Sequence, residues 1–156
     1  MRNNKGTKVK SAVINNRSAS FNYFIDDTLE CGIELKGHEV KSLRTGMASI
    51  EEAWIAIENG EMLIKQMYIT KWDKAMGFGV ATTRERKLLA HKIEIRKLNQ
   101  QVQRKGCTLI PLKVYFTDSG KCKVLVGICR GKHDYDKRET IKKRDLDRSM
   151  QRKFED

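Results

Sequence analysis

The sequence predicts a mainly β chain with flanking helices: five or six antiparallel strands curled into a small closed or nearly closed barrel, two or three helices, and a charged C-terminal extension. Three observations carry that expectation. Leu29, Cys31, Ile33 and Leu35 alternate with Thr28, Glu30, Gly32 and Glu34, the period of two that marks a strand with one buried face. Asn59-Gly60, a dipeptide suited to a type I′ turn, separates the runs 53–58 and 61–69, as in a hairpin. Thr108, Ile110, Leu112, Val114 and Phe116 alternate in the same way. The turn Thr117-Asp118-Ser119-Gly120 follows, and then Cys122, Val124, Val126 and Ile128. A barrel of the oligonucleotide-binding type fits this strand count and the charge.

The 156 residues are enough for one domain with a core. The net charge is +12, with 33% charged residues, a balance that favours nucleic acid as a partner, or less often an anionic membrane. It is unevenly spread. Residues 1–25 hold five Lys/Arg and no acid, 26–83 six against ten, 84–105 eight against two, and 130–156 ten against seven. Such blocks imply particular basic faces rather than a mixed solubility surface. No apolar run approaches the roughly 18 residues needed to span a bilayer. The N-terminus lacks the apolar segment of a secretory signal. Cys31, Cys107, Cys122 and Cys129 have no C-x-x-C spacing and sit in strand-like stretches. Reduced, buried thiols in a cytoplasmic protein are expected, and no zinc site.

In chain order, residues 1–11 read as a mobile basic arm, 12–14 as a first short strand, and 16–25 as room for one helical turn. Residues 38–44 read as a short helix with Val40 and Leu43 inward and Gly46 as its stop. Residues 71–82 read as a loop. Residues 83–105 read as helical, with Leu88, Ile95, Leu98 and Val102 on one face and Gly106 closing it. Whether this is one helix or two, broken near His91, stays open. Pro111 belongs at an edge or a bulge. Trp54 and Tyr68 are expected in the core and Trp72 as an exposed ring.

The run 131–148, GKHDYDKRETIKKRDLDR, can start a helix. Asp136 is placed to cap it and Glu139 to reach back. It lacks a broad apolar face, which a helix needs to bury if it is to be stable. It reads as a tail that is disordered when free and becomes helical on a polyanionic partner. A solvated, frayed end is the plainer alternative. The expected division is therefore a barrel domain over 1–130 and a tail over 131–156.

Several motifs carry candidate chemistry. Glu39-Val40-Lys41 echoes the carboxylate-plus-lysine pattern of metal nucleases, with Asp26 or Asp27 as a further ligand. A short amphipathic helix with an exposed polar face explains it more simply. Asp134, Asp136 and Glu139 stand among Lys132, Lys137 and Arg138, which would repel a divalent cation. Arg84-Glu85-Arg86-Lys87 at a helix start could hold phosphate, or form a solvated face. His38, His91 and His133 have no neighbouring nucleophile and paired acid.

Five windows together resemble the small protein B family, the SsrA-binding proteins of bacterial trans-translation. They are Asn16-Arg17 with Tyr23-Phe24-Ile25; Glu30-Cys31-Gly32 ahead of Gly37; Glu39-Val40-Lys41-Ser42-Leu43-Arg44; Arg84-Glu85-Arg86-Lys87-Leu88-Leu89; and Gly131-Lys132 with Tyr135-Asp136-Lys137-Arg138. They run in family order at family spacing. Departures are Ser18, Ser20 and Phe21 where basic residues are common, Ala81-Thr82 in place of a frequent Asp-Pro, and His133 where a lysine is common.

The resemblance implies an RNA-binding adaptor and no enzyme or cofactor. Its partners would be transfer-messenger RNA, bound through the tRNA-like domain, and the ribosome, with elongation factor Tu and GTP in the delivered complex. No membrane is involved, and the protein would act as a cytoplasmic monomer. By that resemblance Asn16, Arg17, Glu30, Arg84, Arg86, Lys87 and Leu89 make or support the RNA face. Gly131, Lys132, Tyr135, Asp136, Lys137, Arg138, Lys142, Lys143 and Arg144 belong to a tail that occupies the empty decoding region and messenger channel. A helix over 136–154 would be a rod roughly 28 Å long at about 1.5 Å per residue.

Overall fold

The structure is a computed structural model that describes residues 11–72, 81–132 and Arg144. The arm at 1–10, the middle of the 71–82 loop and the tail from His133 onward lie outside the described residues, Arg144 excepted. Tyr135, Asp136, Lys137, Arg138, Lys142 and Lys143 are among those not described.

The elements run β1 (Ile14–Asn15), α1 (Ala19–Asn22), β2 (Tyr23–Ile33), α2 (Gly37–Arg44), β3 (Ala48–Ser49), β4 (Trp54–Glu58), β5 (Glu61–Lys65), β6 (Tyr68–Ile69), β7 (Arg86–Leu89), α3 (Lys92–Lys105), β8 (Thr108–Phe116) and β9 (Cys122–Gly131). All strand pairs are antiparallel. The large sheet has the order β1-β8-β4-β5-β7-β2-β9, and β9 pairs again with β8. The sheet therefore closes on itself, with β1 as an extra strand beside β8. Closure leaves the ring no unpaired edge.

The two predicted hairpins are present. Asn59 and Gly60 both have positive φ, 52° and 75°, as a type I′ turn requires. The register shifts between Pro111 and Lys113, so the proline sits at a bulge, where its missing N–H leaves the ladder intact. Gln66, at φ 60°, breaks the run after β5. Past Met67, the two residues of β6 leave the barrel to pair with β3.

The barrel interior is filled by Ile33, Ile55, Met62, Ile64, Leu88, Val114, Val124 and Val126, all buried. Helix α3 lays Ile95 and Leu98 against this core, and Gly106 ends it in the left-handed conformation, its N–H donating to Val102 O at 3.1 Å. Cys31, Cys107 and Cys129 are buried free thiols, as the sequence implied, whereas Cys122 is half-buried.

Three expectations need correction. Residues 83–105 are not one helical segment: 86–89 is the strand β7, and the helix begins at Lys92. Trp54 and Tyr68 are not core residues, each being 43% exposed. On β4 the alternation turns Ile55 inward and Trp54 outward, and the Trp54 ring lies 5.3 Å from Lys65 Nζ. The polar face of α2 is only partly solvated: Lys41 and Arg44 are exposed, but Glu39 and Ser42 are buried with Leu43. Trp72 is exposed, as expected.

Candidate nucleic-acid interface

The outer surface of β7, β2, β9 and β8 is one continuous ladder. Leu89 on β7 lies opposite Gly32 on β2, Gly32 opposite Lys123 on β9, and Lys123 opposite Tyr115 on β8. A second row runs Glu30, Leu125, Lys113 and Asn15. The period of two turns Cys31, Ile33, Leu88, Val114 and Val124 into the barrel. Their neighbours Glu30, Leu89, Lys113, Tyr115 and Lys123 therefore share the outer face. Tyr115 donates its hydroxyl to the Glu30 carboxylate, and Lys113 Nζ lies 5.2 Å from the Tyr115 ring. Glu30, Gly32, Leu89, His91 and Lys123 line a shallow groove of about 340 Å³. The face thus offers two amines, an aromatic ring, an exposed leucine and two carboxylates, Glu30 and the groove-lining Glu94. Amines suit phosphate, rings and apolar side chains suit bases or ribose, and a carboxylate can accept from a base amino group or a 2′-hydroxyl.

Gly32 matters to this face through space. A Cβ there would sit 3.3 Å from Leu89 Cβ, so glycine lets β2 and β7 approach with Leu89 lying flat across the gap.

The Asn16 side chain is engaged within the fold. Its side-chain amide donates to Pro111 O at 3.0 Å and Ile50 O at 3.5 Å, and its Oδ1 accepts from Ser18 at 3.1 Å. It fastens the β1–α1 junction to the bulge in β8, a supporting role. Arg17 beside it is exposed.

Arg86 is the main correction to the site. It is 1% exposed and directs no donor outward. Its Nε donates to Glu39 Oε2 at 2.5 Å. Its two terminal nitrogens donate to the carbonyls of Met67 at 2.7 Å, Arg84 at 3.1 Å and Thr82 at 3.2 Å. Arg84, half-buried, donates to Glu39 Oε1. The Lys36 backbone N–H donates to the same oxygen at 2.8 Å, so Glu39 also caps the start of α2. Burial alone would raise the Glu39 carboxyl, but the hydrogen bonds from Arg84, Lys36 and Arg86 outweigh it and hold it below the usual carboxylate range. Arg84 and Arg86 thus tie α2 to β7. Lys87, between them and Leu89, turns outward and pairs with Glu61 at 3.2 Å.

The same geometry disposes of the nuclease reading. Glu39 is held by two guanidiniums, and Asp26 by Arg130 at 2.7 and 3.0 Å. Cations in those positions repel a metal ion. Among the described residues no three His, Cys, Asp or Glu side chains converge.

Of the residues assigned to the tail, Gly131 is the last of β9, opposite Tyr23. Lys132 donates its N–H to Asn22 O at 2.9 Å and its Nζ to Ser20 O at 2.9 Å. It also stands 4.9 Å from the Phe24 ring. Arg144 donates to Ser20 Oγ at 2.6 Å. These residues meet the body at α1 and the start of β2.

Sequence reasoning missed Lys113, Tyr115 and Lys123. The signal was present: each is the polar partner in an alternation whose other members are buried. Glu39 as an internal counter-ion was missed too. Only the two-residue spacing of Arg84 and Arg86 hinted that both face one way from a strand.

Comparison with known proteins gives a consistent result. The family described as SmpB protein matches residues 13–156. The SsrA-binding protein of Parvibaculum lavamentivorans is 49% identical over 144 residues, 92% of this chain and 87% of that one. The SsrA-binding protein of Caldicellulosiruptor bescii is 45% identical over 153 residues, covering 98% and 96%. A solved chain reported under "tmRNA-SmpB: a journey to the center of the bacterial ribosome" is 43% identical. It superposes with a TM-score of 0.66 over 83% of this chain and 94% of that one.

Proposed function

Because the chain belongs to the SmpB protein family, we propose that it is an RNA-binding adaptor of ribosome rescue. It binds the tRNA-like domain of transfer-messenger RNA and brings that RNA to ribosomes stalled without a stop codon. It performs no catalysis. The observation that carries this reading is the outward ladder Leu89–Gly32–Lys123–Tyr115 with Glu30 beside it. That face is mixed in chemistry and four strands wide, which suits a folded RNA better than a single phosphate.

In this reading Lys113, Lys123, Tyr115, Glu30 and Leu89 contact the RNA. Asn16, Arg84 and Arg86 shape the surface from beneath, and Arg17 and Lys87 lie at its margin. Residues from 133 onward enter the decoding region and messenger channel and order there. Ordering on arrival costs free energy, so the tail alone binds weakly. The barrel's grip on the RNA raises the tail's effective concentration. The protein acts as a cytoplasmic monomer, and elongation factor Tu with GTP accompanies the alanylated RNA. Among the described residues no helix is long and apolar enough to cross a membrane.

The test is the triple substitution Asp136→Ala, Lys137→Ala, Arg138→Ala in the full chain. Affinity for the tRNA-like domain should stay the same while alanine transfer on stalled ribosomes collapses. A matching loss of RNA affinity would refute the division between body and tail. A generic RNA-binding module would bind bulk tRNA as well as transfer-messenger RNA, so direct competition between the two separates it from the adaptor.

A further inference from the structure

A second concavity lies across α3 from the ladder, between the first turns of the helix and the tip of the β4–β5 hairpin. Its volume is about 410 Å³, within the roughly 300–1,000 Å³ typical of small-ligand sites. The floor is apolar, made by Ile57 and the buried Ile95. Lys92 and Arg96, one helical turn apart, form one wall. Asn59 and Gly60 at the hairpin tip and Asn99 on the helix supply amide and backbone polar groups around the rim. Glu61 also lines it, but its carboxylate pairs with Lys87 at 3.2 Å. Neither Lys92 nor Arg96 has an ion pair among the described residues.

We infer that this groove binds one unstacked nucleotide of an RNA strand, its base against Ile57 and Ile95 and its phosphate against Lys92 and Arg96. An apolar floor with amides at its margin fits the face and edge of a base. Two cations on one wall fit the backbone. An acidic peptide would use the cations but leave the floor unfilled. The position supports the same occupant. His91 lines the groove on the ladder side, and its neighbour Lys92 lines this one. A strand leaving the ladder reaches the second groove by crossing the start of α3. The inference rests on the RNA-binding reading above and adds a second contact to it.

The experiment is nuclear magnetic resonance titration of the full ¹⁵N-labelled chain with three probes: a short unpaired oligoribonucleotide, inorganic phosphate, and the isolated tRNA-like domain. The oligoribonucleotide should shift the amides of Ile57, Asn59, Gly60 and Asn99 saturably. The paired substitution Lys92→Ala, Arg96→Ala, at two exposed positions, should weaken that binding about tenfold without moving the remaining resonances. Equal shifts with inorganic phosphate, or no shifts with the oligoribonucleotide, overturn the inference. If the tRNA-like domain still shifts Gly32, Leu89 and Lys123 in that case, the proposed function survives its loss. If the tRNA-like domain shifts neither set, the RNA-binding reading itself fails.

Discussion

Glu39 on α2 and Arg86 on β7 meet in the interior with 2.5 Å between Oε2 and Nε, 47 residues apart in sequence. The Arg86 guanidinium spends its other donors on three backbone carbonyls. One buried side chain therefore holds a helix, a strand, the turn ahead of β6 at Met67 and the end of the loop that leads into β7. Removing one partner of such a pair leaves the other charged and uncompensated.

Glu39→Gln should accordingly cost roughly 3 kcal/mol of folding stability, read as a lowered urea midpoint. The acid limb carries the sign. The folded carboxyl titrates below the unfolded one, so its contribution is complete above the ordinary carboxylate range. It is lost as pH falls through the lowered folded value. Wild-type stability should fall with acid in that window, and Glu39→Gln should fall less steeply.

The thiols predict the opposite limb. Burial pushes Cys31 and Cys129 up to about 11 and Cys122 up to about 12, from an ordinary 9.0. The unfolded chain ionises first, so stability is complete below pH 9 and declines as pH rises toward 11. Alkylation of the native protein at pH 8 should be slow and accelerate sharply in denaturant. Rapid labelling of Cys31 or Cys129 in the native protein would contradict the packing described.

Gly127→Ala tests close approach within β9. A Cβ there would lie 2.8 Å from Leu112 Cδ1 and 3.0 Å from Cys129 Sγ. The bulge at Pro111–Lys113 constrains how far Leu112 can yield. Overpacking should cost about 1–3 kcal/mol, measured by chemical denaturation. Gly60→Ala, with open space around its Cβ but φ at 75°, should cost about 1 kcal/mol through backbone strain alone.

Lys113→Ala and Lys123→Ala should leave the melting temperature nearly unchanged and weaken binding of the tRNA-like domain. If each removes one phosphate contact, the slope of log affinity against log salt should fall by about one per substitution. An unchanged slope would place the RNA elsewhere.

Much of this architecture could be read from the chain. The Asn59-Gly60 hairpin, the β8–β9 alternation and the Gly106 stop each have a local cause that no distant contact overrides. β7 was hidden for a physical reason. Its inward residues are Arg86 and Leu88, and a buried arginine breaks the apolar alternation that marks a strand. The surviving leucine then falls in helical phase with Ile95 and Leu98. The ladder was half legible: Glu30 and Leu89 came from resemblance, whereas Lys113, Tyr115 and Lys123 become neighbours only once the register is known. In sequence Arg86 looks like a phosphate contact because nothing local marks Glu39, 47 residues upstream, as its counter-ion.

The ring of strands is not equally strong all round. Between β4 and β8 it is joined at one register pair, Ile55 opposite Leu109. Two joints further round the ring, β2 and β9 are paired from Tyr23–Gly131 to Gly32–Lys123. Breathing will start at the thin joint, where amide protons should exchange with solvent soonest. Glu30, Lys123 and Tyr115 sit on β2, β9 and β8, which are paired to one another over most of their length, and those three strands then keep their shape while the β4–β8 joint absorbs the fluctuation. A folded RNA would dock on a surface that surrenders little entropy on being gripped.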